Sequence, residues 1–398
     1  MPKRNNDFFS KKKTWSVVKD ELLQCYLTPY VAKILNTGKP LLYVDCFAGA
    51  GKFADGAIGS PLIALNIFEE RLKKSNTGQG NRFIEASFIE LNHSEILATN
   101  LAPYQSYSNL KVSIYAGKYE KHIHKILAGK SNYNIFLYID PYGIKHIDFH
   151  FLSSLATQNS RSVELLLNFN SFGFFRAACS VLKIKFKDKV SYLEEYDDSS
   201  YVDASEKMLN RVAGGDYWKK IVLQHYREGT TSYSVEESLT REFCNQLNKY
   251  YSYVLNIPIK IKENCNPKYR MIHATNHPDG AVLMADNIFL RRQSLRDIQL
   301  GGQQTLFELD FSDVDIRNLV NNYLSNIKIP RRLNLIIAEF FTQCGVQCSS
   351  KDIFEVIKSL EKEDLLELFR QPEKDKKGRP SKFYREGSGK TIQLKWKN

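Results

Sequence analysis

Many apolar residues in this chain fall into short, mainly apolar runs that are separated by segments with helical spacing. The runs LLYVDC, FIEASFIELN, KVSIYAG, NIFLYID and VELLLNF predict five strands, at residues 41–46, 83–92, 111–117, 134–140 and 163–169. A first helix is predicted at residues 14–35, and further helices separate the strands. Strands that alternate with helices, and that are apolar without alternation, indicate a parallel sheet covered on both faces. The fold class predicted for this part is therefore α/β and Rossmann-like.

The rest of the chain predicts a helical insertion and a second domain. Two more strands, YSYVLNIPIKI and YRMIHATN, follow the insertion. Near the end of the chain, three helical segments precede two predicted strands, LLELFRQ and KFYRE, which flank the basic loop PEKDKKGRPS. This order is typical of a winged-helix-like domain. The predicted divisions are an N-terminal helical segment 1–40, a Rossmann-like domain 41–294 with its insertion at 172–250, a linker 295–312 and a winged-helix-like domain 313–398.

Charge and composition narrow the classes of partner and compartment. The 398 residues carry a formal net charge of +12, which favours an anionic partner, with nucleic acid first. No apolar run is long enough for a membrane span, and the charged N-terminus lacks the apolar core of a signal peptide. The seven cysteines include no CxxC pair. We therefore expect a cytoplasmic protein with free thiols, without a membrane partner and without a metal site.

A glycine-rich turn follows the first predicted strand. Asp45 ends that strand, and Ser60 is predicted to cap the next helix. The string DCFAGAG resembles the first motif of class I S-adenosylmethionine methyltransferases, D-x-F-x-G-x-G. The resemblance implies that the turn packs on the methionine part of S-adenosylmethionine and that a carboxylate here holds its ammonium group. The candidate cofactor residues in this segment are Asp45, Phe47, Ala48, Gly49, Gly51 and Ser60.

Further candidate cofactor residues end the second and third predicted strands. Glu90, in the string FIELN, is suited to accept hydrogen bonds from two ribose hydroxyls, and Asn92 completes the string. Ala116 and Gly117 end the third strand, where an adenine would lie. The alternative is a glycine-rich turn in a Rossmann-like domain that binds nothing.

The fourth predicted strand ends in Asp140-Pro141-Tyr142-Gly143. This tetrapeptide resembles the [DNS]-P-P-[YFW] motif of amino-methylating nucleic-acid enzymes and the D-P-F-G of tRNA guanine dimethyltransferases. The resemblance implies that the acid and a backbone carbonyl accept hydrogen bonds from an exocyclic amine, while the aromatic ring stacks on an extruded base. These four residues and Asn168, at the end of the fifth strand, are the candidate catalytic residues. Other polar candidates nearby are Lys145, His146, Asp148, Asn170 and Arg176.

Several strings occur in the same order as in one family. TWSVVKDELLQCYL, LLYVDCFAGAGKFADGAIGSPLIAL, FIELN, YIDPYG, ELLLNFN and YRMIHATNHPDGAVLM together resemble the three-Cys-motif partner proteins, TcmP, over residues 14–290. The resemblance implies a methyltransferase-like protein encoded beside a protein with a three-cysteine motif, with mobile-element or phage-defence gene neighbourhoods. Two functions stay open: methyl transfer to nucleic acid, or an inactive Rossmann/winged-helix module that binds or regulates.

The basic loop of the tail is a candidate nucleic-acid contact. Its cations suit contacts to phosphates, which position a protein on nucleic acid without reading its sequence. The alternative is a solvated loop on a domain that docks to a partner protein. The candidate residues are Lys376, Lys377, Arg379 and Lys382.

Overall fold

The structure is a computed structural model that describes residues 14–75, 82–186, 204–260, 267–299, 315–387 and 389–397. Its α-helices are α1 Thr14–Asn36, α2 Ser60–Ser75, α3 Ser94–Leu101, α4 Tyr119–Leu127, α5 Phe149–Leu155, α6 Ser171–Leu182, α7 Glu206–Ala213, α8 Tyr217–Glu228, α9 Ser232–Leu247, α10 Pro278–Gln299, α11 Ile316–Leu324, α12 Leu333–Cys344 and α13 Ser350–Lys362. Its strands are β1 Leu41–Asp45, β2 Ile84–Glu90, β3 Leu110–Ala116, β4 Asn134–Ile139, β5 Ser162–Phe169, β6 Tyr253–Ile259, β7 Tyr269–Thr275, β8 Arg331–Arg332, β9 Leu366–Gln371 and β10 Thr391–Trp396. A 3-10 helix, Ala102–Ser106, follows α3.

The chain divides into two compact units. The first is Met1–Asn276 with Ser294–Gln303, and the second is His277–Gln293 with Gln304–Asn398. The boundary predicted at residue 294 therefore falls inside α10. The earlier residues of α10 group with the second unit because Asp279 and Asp286 of this helix accept hydrogen bonds from Asn334 and Ser350. Of the predicted linker 295–312, the first five residues end α10, and the others lie outside the described residues.

Seven strands form the central sheet of the first unit, in the order β3-β2-β1-β4-β5-β7-β6. The strands from β3 to β5 are parallel to their neighbours, whereas β7 is antiparallel to both β5 and β6. The prediction of an α/β fold with a mostly parallel sheet is confirmed, and all seven predicted strands of this unit are present.

Burial explains why these strands are apolar without alternation. Every residue of β1, β2 and β4 is buried, because central strands of a parallel sheet have no solvent face. In the register of the sheet, Asp45 at the end of β1 lies beside Tyr138 of β4, and Glu90 at the end of β2 lies beside Ala116 of β3. The carboxyl ends of four adjacent strands therefore meet at one edge, where open α/β sheets bind ligands.

The described part of the predicted insertion is mainly helical. Helices α6 to α9 cover this part, and residues 187–203 lie outside the described residues. Phe243 of α9 stacks on Phe169 of β5 with ring centroids 4.6 Å apart. Gly214 ends α7 with a φ of +76°, and a Cβ atom there would lie 2.3 Å from the ring of Phe149. Only glycine fits at position 214, because the backbone there is left-handed and a Cβ atom would clash with the ring of Phe149.

The second unit contains a small antiparallel sheet and a group of helices. In chain order its elements after α10 are α11, β8, α12, α13, β9 and β10, and the sheet has the order β8-β10-β9. The predicted three helices and the strand LLELFRQ are present. The prediction that KFYRE forms the second strand is wrong: that strand is β10, whose Ile392 and Leu394 are fully buried. Residues 382–386 are irregular in the structure.

Two observations bear on the predicted membrane and cysteine properties. None of the helices in the described ranges has both the length and the apolar character needed to cross a membrane. The six described cysteines form no disulfide with one another, and Cys265 lies outside the described residues.

Candidate active site

The glycine turn after β1 folds back on itself. Gly49 and Gly51 have φ values of +63° and +77°, a conformation that glycine adopts without strain. The Gly59 N–H donates to the Gly51 carbonyl at 2.9 Å, which closes the loop just before α2. A Cβ atom at Gly51 would lie 3.1 Å from Leu97 Cδ1. The glycines are therefore required by the path of the backbone itself.

Asp45 anchors this loop from inside the protein. Its side chain is fully buried and accepts hydrogen bonds from the Phe47 N–H at 3.2 Å and the Ser60 hydroxyl at 2.7 Å. Burial raises the pKa of Asp45 to about 7, the two hydrogen bonds oppose this rise, and the charges of Asp140 and Glu90 add to it. A residue so enclosed holds the loop and does not reach the surface, where the implied ammonium group would bind.

Ser60 also differs from its predicted role. It is the first residue of α2, and the Ile63 N–H donates to the Gly59 carbonyl, so Gly59 occupies the cap position. The Ser60 hydroxyl instead donates to Asp45 and links the start of α2 to the end of β1.

Glu90 is the carboxylate at the rim of the site. Its Oε2 accepts from the Gly49 N–H at 2.8 Å, and its Oε1 accepts from the N–H groups of Asn92 and His93 at 2.8 and 3.1 Å. A carboxylate has about four acceptor positions, so one remains, on Oε2. The structure therefore leaves room for one additional hydrogen bond, fewer than the two that the sequence predicts.

Small residues and backbone bonds surround Glu90. The Ala48 N–H donates to the Ile89 carbonyl, and the Gly117 N–H donates to the Glu90 carbonyl at 2.9 Å. Gly117 has a φ of +126°, and Ala116 and Asn92 are exposed. These bonds bring the predicted cofactor residues of the first three strands together at one edge.

Phe47 places an aromatic ring at the same edge of the sheet. Its half-buried ring lies 5.2 Å from the ring of Tyr119 and 6.0 Å from that of His146. Burial lowers the pKa of His146.

Asp140 is paired with a lysine that the sequence analysis missed. The ammonium nitrogen of Lys19, in α1, lies 2.9 and 2.7 Å from the two carboxylate oxygens, and its side chain is only 9% exposed. The Asn168 amide donates to Oδ1 at 2.7 Å, and the ring of Tyr269 lies 5.2 Å from the Lys19 nitrogen. The sequence does contain a signal, because Lys19 lies at helical spacing among buried residues of α1.

The amide of Asn168 carries an unused acceptor. Asn168 is 1% exposed, and among the described residues its Oδ1 has no hydrogen-bond partner. The orientation of the amide follows from its neighbour, because only the NH₂ group can donate to the Asp140 carboxylate. An unpaired buried acceptor costs about 1–3 kcal/mol, so this atom marks a place where a donor would bind favourably.

The residues after Asp140 differ strongly in exposure. Pro141 is buried, whereas Tyr142 is 57% exposed, and Gly143 has a φ of +80° that fits the turn. An exposed aromatic side chain beside a carboxylate is suited to stacking on a planar ligand.

The other polar candidates serve local structure. Asp148 caps α5 by accepting from the His150 and Phe151 N–H groups, and Asn170 caps α6 by accepting from the Gly173 N–H. The Lys145 carbonyl accepts from the Arg211 guanidinium, and Arg176 is half-buried within α6. Of the polar candidates near this strand, Asn168 is the one whose side chain bonds to Asp140.

The basic loop in the second unit is a tight turn. The Asp375 N–H donates to the Arg379 carbonyl at 2.8 Å, and Asp375 accepts from the Arg379 guanidinium at 3.1 and 2.9 Å. The backbone N–H of Arg379 is the main cause of the lowered pKa of Asp375. Arg379 therefore stabilises the turn, whereas Lys376, Lys377 and Lys382 are exposed.

No group of three His, Cys, Asp or Glu side chains that could hold a metal ion occurs in the described ranges. No protein-family model matches the chain, and no curated protein matches it in sequence.

Proposed function

We propose that this chain is an S-adenosylmethionine-dependent methyltransferase that acts on nucleic acid. The observation that carries the proposal is the meeting of the glycine turn, Glu90 and Asp140 at the carboxyl ends of β1, β2 and β4. These strands belong to a mostly parallel sheet of order β3-β2-β1-β4-β5-β7-β6, and open α/β sheets bind ligands at the carboxyl ends of their strands.

The residues of this edge fit the cofactor in part. Glu90 keeps one acceptor position for a ribose hydroxyl, and exposed Ala116 with Gly117 leaves space beside it. Asp45 does not fit a contact with the ammonium group, because it is fully buried, and its role is to hold the turn. When bound, the cofactor supplies the methyl group.

The Asp140 centre is where an acceptor base would be held. Tyr142 offers an exposed ring for stacking, and the unpartnered Oδ1 of Asn168 is suited to accept from an exocyclic amine. Lys19 and the Asn168 amide fix the orientation of the Asp140 carboxylate. Stacking and hydrogen bonding to an extruded base are the interactions that base-modifying enzymes use.

Calorimetry with S-adenosylmethionine and its demethylated product tests the cofactor. We expect both to bind, and we expect Glu90→Ala to weaken binding about 10- to 100-fold through loss of a hydrogen bond to a charged acceptor. Glu85→Ala is the matched control, because Glu85 is a buried glutamate at the opposite end of β2 that bonds to Lys130 and Lys111. Absence of heat with either ligand at millimolar concentration would reject the cofactor proposal.

Transfer of a labelled methyl group to DNA, RNA and protein tests the acceptor. We expect label in nucleic acid, and we expect Tyr142→Ala to reduce the rate at low substrate concentration about 5- to 100-fold, because stacking on a base contributes about 1–3 kcal/mol. Tyr226→Ala removes another exposed tyrosine of the same unit and serves as the control. Label in protein alone would contradict the proposed substrate.

The second unit is proposed to be a winged-helix domain. Its order of helix, strand, two helices and two antiparallel strands, α11 to β10, supports this assignment. The resemblance to the TcmP family adds the proposal of a partner protein with a three-cysteine motif.

A binding or regulatory module is the second candidate, and one observation favours it. Lys19 contacts both oxygens of Asp140, so the chain's own ammonium group occupies the position that a target amine would need. Cofactor binding without methyl transfer to any acceptor, even with the partner protein present, would favour this candidate. In that case the module would act in a mobile-element or phage-defence system.

A further inference from the structure

A second candidate site lies in the second unit, apart from the basic turn. It is a groove of about 380 Å³ between α13 and the residues Phe383, Tyr384, Arg385 and Lys390, which we call the α13 groove. Its lining includes four cationic side chains and one carboxylate, that of Glu355, which pairs with Lys358 at 3.6 Å. The cations are Lys351, Lys358, Arg385 and Lys390.

Two of these cations are held by aromatic rings. The guanidinium of Arg385 lies 5.4 Å from the ring centroid of Phe354, and the Lys390 nitrogen lies 5.3 Å from that of Phe383. In the described part of the chain, neither cation forms an ion pair with a carboxylate. Their charge therefore remains available to a ligand, in contrast to that of Arg379 in the basic turn.

The groove has a rigid wall. Glu361 of α13 accepts two hydrogen bonds from Arg370 of β9, at 2.8 Å each, and one from the Tyr384 hydroxyl. Arg370 also donates to the Phe383 carbonyl at 2.9 Å. These bonds fix the segment that carries Arg385, so binding does not require it to be ordered first.

The cations are spread along the groove. Lys351, Phe354, Glu355 and Lys358 lie at positions i, i+3, i+4 and i+7 of α13 and therefore share one face. The two lysines are separated by about 10 Å along the helix axis, from the rise of 1.5 Å per residue. Charges distributed over this length suit a chain of phosphates better than one isolated anion.

We propose that the α13 groove binds a single-stranded nucleic acid, with its phosphates on the four cations and its bases against Phe354 and Phe383. Cationic grooves with aromatic side chains are typical of single-strand binding sites. A concave groove can receive a flexible single strand, whereas the major groove of a duplex takes a protruding helix or ribbon. The inference rests on the proposed function, to which it adds the form of the substrate.

Fluorescence anisotropy on the full chain tests the groove with a labelled 15-nucleotide single strand and the matching duplex. We expect the double variant Arg385→Gln/Lys390→Gln to weaken single-strand binding about tenfold. The plot of log affinity against log salt concentration should become less steep by about 1.4, because each of the two lost phosphate contacts contributes about 0.7 to the slope. Lys207→Gln/Lys220→Gln removes the same charge from exposed positions of the first unit and should leave both quantities unchanged.

Phe354→Ala supplies a variant without a change in charge. We expect it to weaken single-strand binding about 5- to 100-fold while the salt slope stays constant, because it removes stacking. Thermal unfolding of each variant must match the wild type. Equal effects of the two double variants, tighter binding of the duplex, or equal competition by polyglutamate would each overturn the proposal, and the last result would assign the groove to an acidic protein segment.

Calorimetry with S-adenosylmethionine separates this proposal from the proposed function. Cofactor binding with no effect of the groove variants on single-strand binding would reject the groove and leave the methyltransferase proposal standing. Single-strand binding that depends on the groove, without cofactor binding, would reject the methyltransferase proposal and retain the groove.

Discussion

Asp140→Ala is expected to lower the free energy of unfolding of the first unit by about 3 kcal/mol, because it leaves the buried Lys19 ammonium without its partner. Lys19→Met should cost less, since Asp140 keeps its hydrogen bond from Asn168 and is 23% exposed. The double variant should regain most of the loss, because no unpaired charge remains. Urea titration followed by tryptophan fluorescence measures these differences in a Trp396→Phe background, which retains Trp15 and Trp218, both in the first unit.

Lys130 provides the matched control for Lys19. Its nitrogen pairs with buried Glu85 at 2.6 Å and lies 4.5 Å from the ring centroid of Tyr133, so it shares the chemistry of Lys19 away from the carboxyl edge. Lys130→Met should reduce stability without affecting methyl transfer, whereas Lys19→Met should reduce transfer at least about tenfold, since one bond to an ionised group contributes about 1.5–3 kcal/mol. If the change in unfolding free energy of the double variant equals the sum of the changes in the two single variants, that result would contradict a direct Lys19–Asp140 interaction.

The sheet could be predicted because the apolar character of its strands reflects their burial. LLYVD and NIFLYI are apolar except for Asp45 at the end of the first and Asn134 at the start of the second, and both become fully buried central strands. Once the strands are placed, a parallel sheet brings their carboxyl ends together, so the residues that end them are predicted to meet. Glu90 and the glycine turn do so through the bond from the Gly49 N–H.

The partners of those residues depend on tertiary contacts that local patterns do not contain. Lys19 and Asp140 are separated by 121 positions, and no spacing rule joins them. The burial of Asp45 could likewise not be predicted from the sequence, because the glycine turn that encloses it also resembles a turn that is open to a ligand. Its hydrogen bonds to Phe47 and Ser60 show that a carboxylate in such a motif can serve the loop itself.

The error in the small sheet has a similar cause. KFYRE and TIQLKW both contain residues that favour strands. TIQLKW alternates, with Ile392 and Leu394 directed into the core, whereas Phe383 and Tyr384 are adjacent and both half-buried. Adjacent residues of a strand point to opposite faces, so KFYRE packs its rings as an irregular segment beside α13.

Asp45 should make the stability of the first unit decrease as the pH rises. Its pKa is about 7 in the folded protein, against 3.8 for an ordinary aspartate, chiefly because of burial. Between these values the folded protein keeps a proton that the unfolded chain has lost, so the stabilisation is complete below pH 3.8 and is lost as the pH passes through 7. A shift of about three pKa units corresponds to about 4 kcal/mol.

Asp45→Asn removes this dependence while preserving the size of the side chain. Other titrating groups contribute to both proteins, so the measured quantity is the difference in unfolding free energy between wild type and Asp45→Asn at a series of pH values from 4 to 8. The wild type should lose about 4 kcal/mol relative to the variant over this range. Ser60→Ala removes a hydrogen bond that lowers the pKa of Asp45, and it should therefore move the transition to higher pH. A difference that stays constant, or that grows in favour of the wild type as the pH rises, would show that Asp45 is ionised within the fold and that the loop is held by a charged carboxylate.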